Sequence, residues 1–215
     1  KGSVTWGERQ LTETDRNGPL AKPVAGLCNW AADNHNRLTR PLMEKALGVH
    51  RDAKLPAYQS RTLTDLAAGE VPAVNREAPA FGRKALLYAT CFANFNSPSI
   101  GIAARKVLAH NGVETEVVYP SCCGMPQLEH GDVARVAETA RTVAAELRPK
   151  VDAGWTVIGL VPSCVLMLKF EWPLLLPDDD NVRALSAATR DIDQYVIDIA
   201  RTEGLADGLQ PLDGG

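Results

Sequence analysis

The chain has 215 residues and five cysteines, yet no C-x-x-C run occurs anywhere in it. That absence weighs against a thiol redox enzyme of the thioredoxin kind. Histidine is scarce at four residues, too few for a convincing catalytic triad. No G-x-G-x-x-G follows any apolar run, so the common dinucleotide cradle is missing and no flavin or nicotinamide site is expected on this chain. No apolar stretch approaches the roughly 20 residues needed to span a bilayer, and no signal peptide is visible. Basic residues are outnumbered, 23 Lys and Arg against 26 Asp and Glu, and they are scattered. With a net charge of −3 and a pI near 5.8, nucleic acid is not an expected partner.

Four of the five thiols stand out by context. Cys122 and Cys123 are adjacent in Tyr119-Pro120-Ser121-Cys122-Cys123-Gly124-Met125-Pro126, with Cys91 upstream and Cys164 downstream. Neighbouring cysteines bridge each other only with strain, and thiols spaced this way in an intracellular-looking chain are more often soft-metal ligands than disulfide staples.

Each thiol follows an apolar run that reads as a buried strand. Leu86-Leu87-Tyr88-Ala89-Thr90 precedes Cys91, residues 113–119 precede the doublet, and Thr156-Val157-Ile158-Gly159-Leu160-Val161 precedes Cys164. Between the first two, Ser97 and Pro98 suit a helix start, Ile100, Ala103, Ala104, Val107 and Leu108 follow at helical spacing, and Asn111-Gly112 suits its end. After Gly131-Asp132, an apolar stripe from Val133 to Leu147 predicts a longer core-facing helix. Strand, helix, strand, helix, strand predicts an α/β fold, a Rossmann-like parallel sheet with flanking helices, and ligands in such sheets sit beyond the carboxyl ends of the strands. The four thiols are expected to meet there as one site, although the sequence does not fix the strand order.

These residues resemble the cysteine-rich CCG domain. The resemblance rests on Cys91, on Cys122-Cys123-Gly124, and on Pro162-Ser163-Cys164 with the following Leu166 to Pro173, and it covers roughly residues 86–204. The domain occurs in the B subunit of heterodisulfide reductase, in iron-sulfur subunits of glycolate oxidase and lactate utilisation, and in the C subunit of anaerobic glycerol-3-phosphate dehydrogenase. Cys91-Phe92-Ala93-Asn94-Phe95-Asn96 and Gly124-Met125-Pro126 with Gly131-Asp132 are most similar to the first CCG repeat of the last of these. The resemblance implies an iron-sulfur electron-transfer subunit, with Cys91, Cys122, Cys123 and Cys164 as ligands. Its electrons would come from a flavin-dependent dehydrogenase subunit and pass towards quinone or another carrier.

Two departures qualify that. The fullest family motif has a further cysteine three positions after the one at Cys164, and here that position is Met167. Four thiolates suffice in number for a [4Fe-4S] cluster but not for the five-cysteine noncubane arrangement. Such proteins also usually carry a ferredoxin-like domain and a second CCG repeat, absent here, so an internal fragment of a longer protein is expected, one that a cluster need not accompany. Those missing parts would be partners, the location cytoplasmic, and any contact with the membrane's cytoplasmic face indirect, through partners. A structural zinc site of four thiolates, serving as an interaction scaffold, is the alternative, because zinc accepts an all-thiolate set. A thiol redox enzyme is a third, for which an exposed, low-pKa cysteine beside a resolving one would be needed.

The expected division is a helical connector and linker over 1–82, the CCG domain over 83–208 and a tail over 209–215. In the connector, Leu38 to Leu47 suggests a helix ending near Gly48, and residues 69–82 read as a Pro- and Gly-bearing linker. The connector either packs two cofactor domains together or simply wraps the sheet. Cys28, remote from the other thiols, is assigned to packing, and His130 to a surface or capping position rather than ligation. Met167 is expected in the core and Lys169 and Glu171 on a solvated face, while Asp178-Asp179-Asp180-Asn181 caps a helix instead of binding calcium.

Overall fold

The computed structural model describes residues 5–208, so the expected tail over 209–215 lies outside the described residues. Three strands arise where the apolar runs predict them, β1 (Lys84–Tyr88), β2 (Glu114–Val118) and β3 (Thr156–Gly159). A fourth, β4 (Thr189–Asp191), adds itself to the free edge of β3. All pairings are parallel and the order is β2-β1-β3-β4. Leu87 faces Val117 on one neighbour and Ile158 on the other.

Because strand side chains alternate, the sheet feeds two separate cores. Leu86, Tyr88 and Val157 point into one, with Val136, Ala140, Val143 and Leu147 of a long helix, Trp172, and Val182 and Leu185. Ala85, Leu87 and Ile158 point into the other, with Leu108, Tyr195 and Ile199. Helices therefore cover both faces, as a parallel sheet requires.

In chain order the helices are α1 (Trp6–Thr12), α2 (Thr14–Ala21), α3 (Ala25–Ala32), α4 (Arg40–Leu47), α5 (Leu63–Gly69), α6 (Cys91–Phe95) and α7 (Pro98–His110). Then follow α8 (Met125–Glu129), α9 (Val133–Asp152), α10 (Pro162–Leu166), α11 (Trp172–Leu175), α12 (Asp180–Ala188) and α13 (Ile192–Thr202). A π-helical turn, Met167–Glu171, joins α10 to α11.

Several local expectations hold. Gly48 ends α4 in the left-handed region, Asp179 accepts from Asn181 N and Val182 N to cap α12, and Met167 is fully buried. Others shift. Ser97 precedes α7 but its hydroxyl makes no capping bond, and Lys169 is half-buried with its Nζ 3.4 Å from Gln194 Oε1. Among the described residues, no helix is long and apolar enough to cross a membrane.

Candidate thiol centre

Strand order places the thiols at the point where the chain's progress across the sheet reverses. From β1 the chain crosses to β2 on one side, then returns past β1 to β3 on the other. The carboxyl ends of β1 and β3 thus flank the crevice that such a reversal opens. Cys91 opens α6 just beyond β1, Cys164 lies in the first turn of α10 beyond β3, and the doublet sits in the loop beyond β2.

Local chemistry fixes each segment. Thr90 Oγ1 accepts from Ala93 N at 3.1 Å, capping the turn that carries Cys91. Gly124 follows the doublet with φ +85°, which favours glycine, and it lies so close to Val136 that an added Cβ would stand 3.3 Å from both its methyls. Gly159 ends β3 under Val165, where an added Cβ would meet Cγ2 at 2.3 Å, so α10 can fold back tightly over the strand end. The Tyr88 hydroxyl donates to Ser121 O at 2.6 Å, and Trp172 Nε1 donates to Cys123 O at 3.0 Å. Both donors are fully buried, so the doublet's backbone is pinned on each side from within the core.

The four predicted thiols are brought together. Cys122 and Cys91 sulfurs stand 3.9 Å apart and Cys123 and Cys164 sulfurs 3.1 Å apart, and the doublet splits its side chains between the two partners. Cys122, Cys123 and Cys164 are buried and Cys91 is half-buried. Among the described residues, no three His, Cys, Asp or Glu side chains converge tightly enough to hold a single metal ion. The arrangement is two thiol pairs side by side.

Their acidities are mutually opposed. Hydrogen bonds from Cys123 first and Cys91 second hold the Cys122 thiol below its ordinary value. The same bond to Cys122, followed by burial, pushes Cys91 up. Cys123 is raised by Cys122, then Cys164, then burial. One thiolate is favoured, and further ones are opposed by like charge in a poorly solvated place. A bound cationic group would invert that balance, since thiolate ligation requires deprotonation and a cation compensates it. The donor set suits a thiolate-held cationic group.

The other sequence candidates fall outside this cluster. Cys28 is half-buried in α3 and pairs with none of the four, although Tyr58 lies within electrostatic reach of both Cys28 and Cys91. His130 is exposed, its Nδ1 2.8 Å from Pro126 O. Sequence reasoning missed the positioning roles of Tyr88 and Trp172, which look like ordinary core aromatics. It also missed Asp15, which approaches the doublet's loop from the far end of the chain. Ser121 Oγ donates to Asp15 Oδ2 at 3.2 Å, and no pattern in a polar helix announces such a contact.

Comparison with known proteins agrees with the geometry. Residues 85–169 match the CCG family of cysteine-rich domains. Two curated relatives are the C subunits of anaerobic glycerol-3-phosphate dehydrogenase from Escherichia coli strains K12 and O157:H7, each 26% identical over 173 residues, 80% of this chain and 42% of the relative. Lactate utilization protein A of an Exiguobacterium species is 30% identical over 120 residues, 53% of this chain and 47% of that protein. The chain thus spans less than half the length of these relatives. No solved structure matches. The stretch that matches the CCG family of cysteine-rich domains, residues 85–169, runs from β1 into the π-helical turn and contains all four clustered thiols, and the chain has distant similarity to the C subunits of anaerobic glycerol-3-phosphate dehydrogenase and to lactate utilization protein A.

Proposed function

We propose that this chain is the electron-transfer part of an oxidoreductase complex, holding an iron-sulfur cluster on Cys91, Cys122, Cys123 and Cys164. The observation that carries the proposal is the meeting of four thiols from three strand ends in one mostly buried cluster. The cluster would supply one-electron chemistry. The chain's own residues would supply the thiolates, a low-dielectric surrounding, and buried donors that hold the ligand loop in place.

Four thiolates suffice in number for a [4Fe-4S] cluster. Zinc accepts the same all-thiolate set, and iron loading decides between the two. Residues 1–82 would serve as the connector and 83–208 as the cluster domain, in the cytoplasm. A flavin-dependent dehydrogenase subunit would be the electron donor, by analogy with the complex named for the Escherichia coli relative.

The test is anaerobic incubation of the full-length protein with iron and sulfide. Broad visible absorbance with iron and sulfide bound is expected, bleaching when the cognate flavoprotein and its substrate are added. Stoichiometric zinc binding with no visible absorbance under any iron-loading condition would replace this function with a structural metal site.

A further inference from the structure

The four clustered thiols are not equally accessible. Cys122, Cys123 and Cys164 are 2%, 2% and 6% exposed. Cys91 is only half-buried, and it opens α6 next to Phe92, which is exposed. A reagent in solution therefore meets Cys91 first. Behind it stands Cys122, with the two sulfurs 3.9 Å apart. The tighter pair, Cys123 and Cys164 at 3.1 Å, is sealed in the core.

An accessible thiol backed by a buried one is the arrangement that two-step thiol exchange requires, since the first sulfur takes the adduct and the second displaces it. Shortening 3.9 Å to the roughly 2.05 Å of an S–S bond takes a movement of about 2 Å. The backbone on either side of Cys122 is held, because Ser121 O accepts from the Tyr88 hydroxyl and Cys123 O from Trp172 Nε1. The movement thus falls to the two side chains and to the first turn of the short helix α6. Cys123 does not compete for Cys122, because adjacent cysteines bridge each other only with strain.

We propose that Cys91 and Cys122 are a modification site for low-molecular-weight disulfides. The Cys91 thiolate attacks one sulfur of the reagent, forming a mixed disulfide and releasing one small thiol. The Cys122 thiolate then attacks the Cys91 sulfur, breaking the mixed disulfide and releasing the second small thiol. The two protons lost by the protein go to the two released thiols; the protein is oxidised by two electrons and the reagent reduced by two. A closed Cys91–Cys122 disulfide withdraws two of the four ligands, so an oxidised centre takes up no cluster until a reductant reopens it. The exchange chemistry stands on the two sulfurs alone, and only its effect on loading rests on the iron-sulfur function proposed above.

The experiment treats the full-length, reduced, metal-free protein with glutathione disulfide and maps the alkylated peptides by mass spectrometry. Wild type should lose two free thiols, joined as Cys91–Cys122, while Cys123 and Cys164 remain alkylatable. Cys122→Ser should instead retain one glutathione on Cys91. Cys28, half-buried and outside the cluster, is the internal reference, because any glutathione it takes stays on it. An unmodified Cys91, a glutathione that persists on Cys91 of wild type, or a Cys122–Cys123 link would each overturn the inference. Should Cys122→Ser not fold, the wild-type peptide map decides alone. Anaerobic incubation with iron and sulfide, without other reductant, then compares the reduced and the oxidised protein. The oxidised form should lose most of its iron uptake and regain it after dithiothreitol, and equal uptake by both forms would overturn the effect on loading. If the reduced protein takes up no iron either, the iron-sulfur function fails, and the peptide map still decides for Cys91 and Cys122.

Discussion

Gly159→Ala should destabilise the protein because a single methyl has nowhere to go. Its position would be 2.3 Å from Val165 Cγ2, against the roughly 3.5–4.0 Å of an ordinary carbon contact, so more than an ångström must be absorbed. The neighbour is a buried, β-branched residue with a stiff side chain, and overpacking of this kind costs about 1–3 kcal/mol. Val165→Ala alone removes two buried methyl groups at about 0.8 kcal/mol each, roughly 1.5 kcal/mol before any cavity contribution. The double variant should nevertheless be no less stable than Val165→Ala, to within about 0.5 kcal/mol. With Cγ2 gone, the nearest remaining atoms are Val165 Cβ at 3.5 Å and Cα at 3.7 Å, both ordinary contacts. Urea denaturation of the four proteins, wild type, both singles and the double, gives the cycle. Simple additivity, with the double variant as weak as the two losses combined, would refute the idea that Gly159 is there to let α10 approach. The same steric push displaces Cys164, next to Val165, from its 3.1 Å contact with Cys123, so iron loading should fall in Gly159→Ala and recover in the double variant.

Three further outcomes are expected. Cys123→Ser should abolish most iron loading, measured as bound iron per chain, while Cys28→Ser leaves it near wild type; equal losses would mean the ligand set is wrong. Tyr88→Phe should cost about 1–3 kcal/mol in denaturation experiments, because it leaves the Ser121 carbonyl without its buried donor, and a change near zero would show that water replaces the phenol. Asp65, hydrogen-bonded first by Lys22 and then by the Thr62 backbone, has its pKa lowered to about 2. A carboxylate depressed in the folded state stabilises above its unfolded value, near 3.8, and that stabilisation is lost as pH falls through about 2. Wild type should therefore lose more stability than Asp65→Asn between about pH 5 and pH 2, and parallel pH curves would contradict this.

The sheet was legible wherever burial wrote itself into composition. β1 and β3 are apolar on both faces, and β2 follows a helix with clear periodicity and an Asn-Gly end. β4 was not legible, because Thr189-Arg190-Asp191 is polar and has no strand pattern; it becomes a strand only by pairing with the edge of β3. The π turn between α10 and α11 was not legible either; there Met167, Leu168 and Trp172 are seated in the core, a tertiary arrangement that no local pattern announces. At the site, the thiols were visible because adjacent cysteines at strand ends are rare in a plain core. Asp15 was not, since its contact with Ser121 arises from how α2 docks, and docking of Gly18 against Phe95 leaves no periodic trace in the sequence.

The split allegiance of Cys122 and Cys123 bears on how the centre comes into being. One short loop serves both neighbours, so neither thiol pair can form from local chain alone. Uniting the doublet with Cys91 closes a loop of 122 − 91 − 1 = 30 residues, and uniting it with Cys164 closes one of 164 − 123 − 1 = 40. By the logarithmic cost of ring closure, each costs about 3 kcal/mol of chain freedom, which the docking of β2 and β3 on β1 has already overcome in the folded protein. An unfolded chain therefore offers only the two adjacent thiols, the pairing of β1 with β2 adds a third, and the full set appears only once β3 has docked as well. The centre is in that sense a late checkpoint of folding, and a group held there would lock three distant stretches of chain at a single node.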